Sequence, residues 1–312
     1  MFSKLRSLIF KVDPEKAHTL AIKSLKFNLV PNVFDENKND PIFQTKIFNK
    51  DLDNPIGIAA GFDKNAEVYN SLFKLGFGFV EVGTITPLKQ YGNPKPRVFR
   101  LVEDEALINR LGFNNQGAEI VKERIKCNKK LGLLGINVGP NKDSSDRLND
   151  YLIGLKTFYD EADYITINIS SPNTENLRTF HEGDKLQHLL KSIIEEKNNL
   201  KSNIPIAVKV SPDISEDQVN QISEILLEHE IKAIIVSNTS EATRDKLSNI
   251  QRHQKGGLSG KPIEKKSNIL INKFYKLLKG KIKIIGVGGV DSGQAAYNKF
   301  IAGADFVQLY TG

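Results

Sequence analysis

The stretch IKIIGVGG, residues 282–289, is an apolar run that ends in paired glycines. A run of Val and Ile without polar alternation is typical of a strand that is covered on both faces. Seven more short runs end in glycine or polar residues: NPIGIAAG (54–61), FVEVGTIT (79–86), LGINVG (134–139), YITINIS (164–170), IPIAVKV (204–210), AIIVSNT (233–239) and FVQLYTG (306–312). The sequence therefore predicts eight parallel strands.

The segments between the strands carry a helical pattern, as in Val219, Ile222 and Leu226, which recur at the spacing of one helix face. Eight alternations of strand and helix favour a closed (β/α)8 TIM barrel over an open doubly wound sheet. An open sheet would more often carry its glycine fingerprint after the first strand, whereas GVGG follows the seventh strand and GxGxxG is not matched. We therefore predict an α/β fold of the (β/α)8 TIM-barrel type.

Composition is that of a folded globular protein without a disulfide framework. The 312 residues contain one cysteine, Cys127, and the five histidines lack metal-ligand spacing, so we expect no metal site and a reducing compartment. The net charge of +7 is spread along the chain without a basic tract between aromatics, which argues against nucleic acid as a partner. No apolar run reaches the roughly 18 residues of a membrane span, and Lys4 and Arg6 interrupt any signal peptide.

The chain is predicted to have two parts. Residues 1–45 are expected to form a helical N-terminal segment, because Asp13 can cap a helix that has Pro14 in its first position. Residues 46–312 are expected to form the barrel. The sequence ends at LYTG, directly after the eighth strand, so we expect the final helix of the barrel to be missing.

Two insertions are expected to rise over the rim at which the strands end. Residues 97–113 predict two strands around the acidic turn 103–105, and residues 240–260 predict a long loop after the sixth strand. Because catalytic groups of such barrels lie at the carboxyl ends of the strands, these insertions would cover the active rim.

Two lysines lie near strand ends. Lys64 follows the first strand in AAGFDKN, where Asp63 is equally able to cap the next helix and leave the lysine in solvent. Lys209 lies near the end of a buried strand, where a charge is costly unless it meets an anion or a carboxylate. Lys209 is therefore the stronger candidate for a functional role.

The stretch GVGGVDSG (286–293) leads the seventh strand into a helix. Glycines in this place let backbone N–H groups approach an anion, which a helix N-terminus also favours. Barrels often hold phosphate between the loops after strands seven and eight, and the eighth strand ends in Tyr310, Thr311 and Gly312. The alternative is a tight turn that requires positive φ.

Five amides fall at strand ends or in the predicted hairpin, and such a rim can donate and accept hydrogen bonds to a flat polar ligand. They are Asn109, Asn137, Asn168, Asn173 and Asn238. Each amide taken alone is more often a turn residue. His18 is interpreted as a helix residue packed near the barrel base.

The stretch NISSPNT (168–174) contains two adjacent serines but no cysteine, histidine or carboxylate. A nucleophilic serine normally needs a neighbouring base, so this stretch is either a polar turn or contains a serine with another role.

The motifs together resemble, in order and spacing and over nearly the whole chain, the dihydroorotate dehydrogenase family. They are DPEKAH, NPIGIAAGFDKN, EVGTITP, GNPKPRVFR, NRLGFNN, INVG, NISSPNT, the strand with Lys209, SNT, GGLSG, IIGVGG and LYTG. DPEKAH and the serine of NISSPNT resemble the membrane-associated, quinone-reducing class, since soluble classes usually carry cysteine as the base. Ser237 stands where threonine is common in the family.

The resemblance implies FMN as cofactor, with the phosphate held by Gly289 and Thr311 and with Lys209 beside the pyrimidine edge of the flavin. The implied FMN-binding residues are Ala60, Gly61, Phe62, Asp63, Lys64, Thr84, Asn137, Asn168, Lys209, Ser237, Gly260, Gly289, Tyr310 and Thr311.

The resemblance also implies oxidation of dihydroorotate to orotate in pyrimidine biosynthesis. Ser171 would take a proton from C5 while hydride leaves C6 for flavin N5, with the proton relayed onward through Thr174 and water. The implied substrate-binding residues are Lys64, Asn109, Arg110, Leu111, Gly112, Phe113, Asn168, Asn173, Asn238 and Thr239.

A membrane quinone is the implied electron acceptor, reached between the N-terminal helices. Apolar residues (Leu5, Leu8, Ile9, Val12) there alternate with basic ones (Lys4, Arg6, Lys11). We expect a peripheral enzyme on the cytoplasmic side of the cell membrane; the alternative is a helical cap that merely closes the barrel.

Two other functions fit the residues taken without the resemblance. A Schiff-base aldolase would use Lys209 or Lys64 as nucleophile. A noncatalytic binder of a phosphate ligand would need the GVGG loop but not Ser171.

Overall fold

The computed structural model describes residues 9–27, 29, 40–242 and 244–312. In these ranges the strands are β1 (Thr45–Ile47), β2 (Lys50–Leu52), β3 (Ile56–Ile58), β4 (Phe79–Ile85), β5 (Val98–Leu101), β6 (Ala106–Asn109), β7 (Leu133–Val138), β8 (Tyr164–Asn168), β9 (Ile206–Val210), β10 (Ala233–Val236), β11 (Gly257–Gly260), β12 (Lys283–Val287) and β13 (Phe306–Leu309). The strands β3, β4, β7, β8, β9, β10, β12 and β13 pair in parallel, in this order, into a closed barrel. The eight predicted strands are therefore confirmed as a (β/α)8 barrel.

Helices surround the barrel and follow its strands. In the described ranges they are α1 (Pro14–Lys26), α2 (Tyr69–Lys74), α3 (Ala118–Lys126), α4 (Arg147–Phe158), α5 (Gly183–Asn199), α6 (Glu216–Glu228), α7 (Glu264–Leu278) and α8 (Gly293–Ala302). Polar side chains define several starts; Ser215 forms a capping box with Gln218 at α6, and Ser292 caps α8. Among the described residues, none of the helices has the length and hydropathy that a membrane crossing requires.

Alternation along each barrel strand sends side chains either to the helices or into the barrel. In β4, Val80 and Val82 pack with the helices, whereas Phe79 faces the interior. Ile47 and Leu52 of the β1–β2 hairpin join the same interior cluster as Phe79. Because Phe79 begins its strand, the hairpin closes the amino end of the barrel and leaves the carboxyl end open to ligands.

The insertions form a small antiparallel sheet, ordered β11, β6, β5, over the carboxyl rim. The predicted pair of strands in 97–113 is confirmed. The prediction that 240–260 is only a loop is wrong, because β11 ends this segment and pairs with β6. Leu258 of β11 packs with Phe99 and Ile108, and this burial stabilises the added strand.

The predicted start of a helix at Asp13 and Pro14 is confirmed. Asp13 accepts a hydrogen bond from the Lys16 N–H at 2.9 Å, and Pro14 is the first residue of α1. The predicted amphipathic positions Lys4, Leu5, Arg6 and Leu8 lie outside the described residues.

Gly135 of β7 leaves space for the Tyr164 ring inside the barrel, so replacing this glycine should destabilise the fold. A Cβ at Gly135 would lie 2.1 Å from Cζ of Tyr164, which is fully buried. We expect Gly135→Ala to lower the free energy of unfolding by about 1–3 kcal/mol through overpacking, measured by urea denaturation. Gly293→Ala is the matched control, because nothing lies within 4 Å of its added Cβ. Equal stabilities of the two variants would contradict the tight fit.

Candidate active site

The carboxyl rim of the barrel contains two adjoining cavities. The inner cavity lies under the β5–β6 hairpin, and the outer cavity lies beside the glycine loop after β12. Both are lined by Ala60, Lys209, Asn238, Thr239, Ser259, Tyr310 and Thr311. The shared lining makes them two ends of one elongated site.

Lys209 lies between the two cavities with its side chain turned into the barrel. It is 5% exposed, and in the ranges that the structure describes its ammonium makes no hydrogen bond or ion pair. Burial lowers the pKa of Lys209, and the charge of Glu81 acts in the opposite direction. A buried ammonium without a partner is costly, so this lysine marks the place of a negatively charged or electron-rich ligand.

Asp63 and Lys64 have different roles: Asp63 accepts backbone hydrogen bonds, and Lys64 lines a cavity. Asp63 is buried and accepts hydrogen bonds from the N–H groups of Glu67 at 2.8 Å and Val68 at 2.7 Å. Asp63 therefore organises the turn, while Lys64 lines the inner cavity and donates to the Gly61 carbonyl at 2.6 Å. Burial lowers the pKa of Lys64 to about 8, against the attraction of Glu15 and Asp63.

Three side chains at the cavity floor form one hydrogen-bonded group. The Thr84 hydroxyl donates to Asn137 Oδ1 at 2.6 Å, and Asn168 Nδ2 donates to Thr84 Oγ1 at 2.9 Å and to Asn137 Oδ1 at 3.1 Å. Thr84 and Asn168 line the inner cavity, whereas Asn137 is fully buried below them. The group presents fixed donors and acceptors upward.

Ser171 faces the inner cavity together with Lys209 and Asn168. It is 4% exposed, and its Oγ accepts a hydrogen bond from the Asn173 N–H at 3.2 Å. Among the described residues, no histidine or carboxylate is hydrogen-bonded to this hydroxyl. The arrangement suits a serine that exchanges a proton with a ligand more than a serine activated for attack.

An arginine that the sequence analysis missed holds the loops of the rim together. Arg178 donates to the carbonyls of Ser170 at 3.2 Å and Thr239 at 3.0 Å, and forms 3.2 Å ion pairs with Asp213 and Glu241. The loops after β8, β9 and β10 are thereby joined. The only sequence signal was a lone arginine after NISSPNT, which carries no spacing information about its partners.

The glycine loop after β12 borders the outer cavity. Gly288 and Gly289 have φ of 111° and 72°, so the turn requires glycine. A Cβ at Gly289 would meet Glu264 Cβ at 2.5 Å, which shows that the loop also needs close approach to the start of α7. The tight turn and the cavity wall are thus the same feature, and Thr311 faces it across the cavity.

Most residues predicted to bind the cofactor or the substrate line one of these cavities. From the cofactor set these are Ala60, Gly61, Lys64, Thr84, Asn168, Lys209, Ser237, Gly260, Gly289, Tyr310 and Thr311. From the substrate set they are Lys64, Asn109, Leu111, Gly112, Phe113, Asn168, Asn173, Asn238 and Thr239.

Four predicted residues, Phe62, Asp63, Asn137 and Arg110, do not line either cavity. Arg110 lies over the Phe99 ring at 4.5 Å and donates to Gln254 Oε1 at 3.0 Å. Its guanidinium therefore braces the insertion rather than facing the cavity.

His18 lies at the rim, and its interpretation as a residue at the barrel base is wrong. Its ring is 5.3 Å from Phe62 and 6.2 Å from Tyr310, which both follow strand ends. The cause is that α1 crosses the rim, held by Arg97 donating to both carboxylate oxygens of Glu15 at 3.1 and 2.7 Å. Burial, and then the Lys64 charge, lower the pKa of His18 to about 4, so its ring is neutral at neutral pH.

The chemistry available is that of an anion-accepting, amide-lined site with one serine. Within the described part of the chain, no group of three or more His, Cys, Asp or Glu side chains is arranged to hold a metal ion. Lys209 and Lys64 supply positive charge, and the amides supply donors and acceptors for a flat polar ligand.

Comparisons with known proteins identify what the chain resembles. A family model described as dihydroorotate dehydrogenase matches residues 42–312. Proteins named dihydroorotate dehydrogenase (quinone) from Bartonella tribocorum and Rhizobium rhizogenes are 47% and 46% identical, over 98% and 97% of this chain and 86% and 84% of their own lengths. The crystal structure of DHODH from Eimeria tenella in complex with ferulenol superimposes with a TM-score of 0.91 at 36% identity, over 96% of this chain and 86% of that one.

Proposed function

Because the chain belongs to the dihydroorotate dehydrogenase family, we propose that it oxidises dihydroorotate to orotate in pyrimidine biosynthesis and passes the electrons to a quinone. The observation that carries this proposal is that Ser171 and the buried Lys209, which has no partner within the described ranges, line the same amide-lined cavity. Neither a Schiff-base aldolase nor a noncatalytic phosphate binder accounts for this serine.

FMN fits the two cavities as the cofactor. Its phosphate suits the outer cavity beside Gly289 and Thr311, and its flat polar ring suits the junction at which Lys209 lies. When bound, FMN accepts a hydride and releases electrons singly or in pairs. The ammonium of Lys209 stabilises the negative charge of the reduced ring, which gives this buried cation the partner that it lacks among the described residues.

Dihydroorotate carries a carboxylate and imide edges, and the inner cavity offers groups for both. Lys64 supplies a cation for the carboxylate, while Asn109, Asn173 and Asn238 supply donors and acceptors for the imide edges. The backbone at Leu111–Phe113 forms the wall of this cavity under the hairpin.

Ser171 acts as the base in this proposal. Its Oγ would take the proton from C5 of dihydroorotate while its own hydroxyl proton leaves, and the Asn173 N–H that donates to Oγ would stabilise the oxygen as it gives up that proton. A hydroxyl is poorly matched to base catalysis near neutral pH, so Ser171 must pass a proton onward, and the relay in this proposal is the buried Thr174 together with water.

Electrons leave toward α1 in this proposal. The His18, Phe62 and Tyr310 rings form a contiguous cluster from α1 to the cavity wall. A further cavity, lined by Phe10 and Leu101 on the N-terminal side, adjoins the outer cavity. A hydrophobic quinone bound here would approach the flavin from the membrane side.

The surface around α1 suits a peripheral membrane protein on the cytoplasmic side of the cell membrane. Large apolar side chains are exposed there, and Lys23 and Lys26 lie in the last turn of α1. The exposed apolar residues are Leu20, Phe27 and Leu29. Apolar groups flanked by lysines bind anionic lipid surfaces.

We expect Ser171→Ala to retain FMN but to slow bleaching of the flavin spectrum by dihydroorotate by roughly 10²–10⁴-fold, because the base is lost. The measurement is anaerobic stopped-flow absorbance. Ser171→Cys should recover part of the rate, since a thiol has a pKa closer to neutral. Ser145→Ala, at an exposed position, is the control. Unaltered bleaching in Ser171→Ala would remove this serine from the mechanism.

The affinity for orotate should fall as the pH rises through about 8. The ammonium of Lys64 is present below its lowered pKa and lost above it, so an anion binds best on the acid side. In Lys64→Met the affinity should be weaker at pH 7 and insensitive to pH through this range, as measured by flavin spectral titration. Lys64→Arg stays charged and should also show no fall. The same fall in wild type and in Lys64→Met would exclude Lys64 as the anion partner.

Replacing exposed apolar groups of α1 should weaken membrane binding without affecting the flavin. Leu20 and Phe27 are 56% and 70% exposed, so Leu20→Ser with Phe27→Ser should reduce sedimentation with anionic vesicles while bleaching by dihydroorotate is kept. Ile250→Ser is the matched control, because Ile250 is 87% exposed on the loop after β10. Equal vesicle binding by both variants would place the membrane surface elsewhere.

A further inference from the structure

A single carboxylate lies inside the barrel below the site. Glu81 of β4 is fully buried and accepts four hydrogen bonds, from Asn137 Nδ2 at 2.9 Å, Tyr164 OH at 2.9 Å, Thr166 Oγ1 at 3.1 Å and Gln308 Nε2 at 3.3 Å. Four donors around two oxygens suit an ionised carboxylate, which can only accept. None of these contacts reaches either cavity directly, so the function proposed above leaves Glu81 without a role.

The carboxylate sets the direction of a hydrogen-bond chain that rises to the rim. Because Asn137 Nδ2 donates its hydrogen bond to Glu81, Asn137 Oδ1 points upward and accepts a hydrogen bond from Asn168 Nδ2 at 3.1 Å. Asn168 Oδ1 then accepts from Ser170 Oγ at 2.8 Å, which accepts from Asn238 Nδ2 at 2.9 Å. The side-chain amide of an asparagine has two possible orientations. The Glu81 carboxylate at the bottom of the chain can only accept, so it fixes the orientation of each amide above it.

Glu81 also acts on Lys209 through space. The two side chains project into the same barrel interior from β4 and β9, and the attraction of Glu81 favours the charged lysine. No ion pair joins them, so Lys209 is stabilised from below while its ammonium stays available to a ligand above. A direct ion pair would satisfy the lysine and weaken its attraction for that ligand.

We propose that Glu81 is a positioning residue that orients the amides of the rim and, as a fixed negative charge below Lys209, sets the reduction potential of the bound flavin. The proposal rests on the function proposed above. A negative charge below the ring opposes the addition of electrons, so at a pH at which Lys209 stays protonated its removal should make the flavin easier to reduce.

The test compares two buried carboxylates at different levels of the barrel: Glu81 forms no ion pair with the described residues, whereas Asp163 pairs with Lys50 and Lys130. Glu81→Gln should shift the flavin midpoint potential upward, measured by reduction against a reference dye. Asp163→Asn is the matched control: Asp163 is 8% exposed, accepts from the Leu134 N–H at 2.8 Å, and precedes β8 at the amino end of the barrel. The flavin midpoint potential of Asp163→Asn should stay at the wild-type value. An equal potential in Glu81→Gln and wild type would overturn the role of the charge.

The KM for dihydroorotate tests the orienting role. Glutamine can donate as well as accept, so the chain above it loses its fixed direction, and the KM of Glu81→Gln should rise several-fold. Should this variant fail to fold, Asn137→Ser cuts the chain and leaves the charge, so the KM should rise at an unchanged potential. An unchanged KM in the folded variants would overturn the orienting role.

A readout without flavin separates this proposal from the function on which it rests. A colourless wild-type protein that FMN does not reconstitute would contradict the proposed function. In that protein, NMR titration of labelled lysine should still show a lower Lys209 pKa in Glu81→Gln than in wild type or Asp163→Asn. An unchanged Lys209 pKa would overturn the electrostatic link, whatever the cofactor.

Discussion

The ammonium of Lys209, which is buried without a partner among the described residues, is the constraint on which the rest of the site depends. Parallel strands bring it to the carboxyl rim of a barrel whose outer layer is packed with Val, Ile and Leu, and this packing provides the stability that a buried charge costs. The same closure brings Lys64, Ser171 and the amides to the same opening. We therefore expect a ligand that carries negative charge to complete the electrostatic balance of the site.

The interior below the rim is polar where many barrels are filled by branched apolar side chains. Glu81, Thr166 and Gln308 lie there, and Gly135 leaves space for the Tyr164 ring that reaches them. Below this layer the interior becomes apolar and the β1–β2 hairpin closes it. The interior thus changes from an apolar base to a charged rim, so the charged groups lie next to the cavities while apolar packing elsewhere stabilises the fold.

The sequence predicts the parts of this arrangement that follow from local pattern. Apolar runs predicted the eight strands, and the position of Lys209 inside such a run predicted that this charge is buried. The predictions that were wrong depend on contacts between distant segments. His18 lies at the rim because Arg97 holds α1 there, and β11 forms because Leu258 packs against the hairpin. Side-chain direction also escaped prediction, because spacing places a residue near a cavity without orienting it.

The central claim is that the buried cation faces a flavin, and a crystal structure of the protein loaded with FMN and orotate tests it most directly. The account predicts the Lys209 ammonium within hydrogen-bond distance of the flavin ring, with orotate between that ring and Ser171. A map with the flavin elsewhere, and with Lys209 still without a partner or paired to a protein carboxylate, would contradict it.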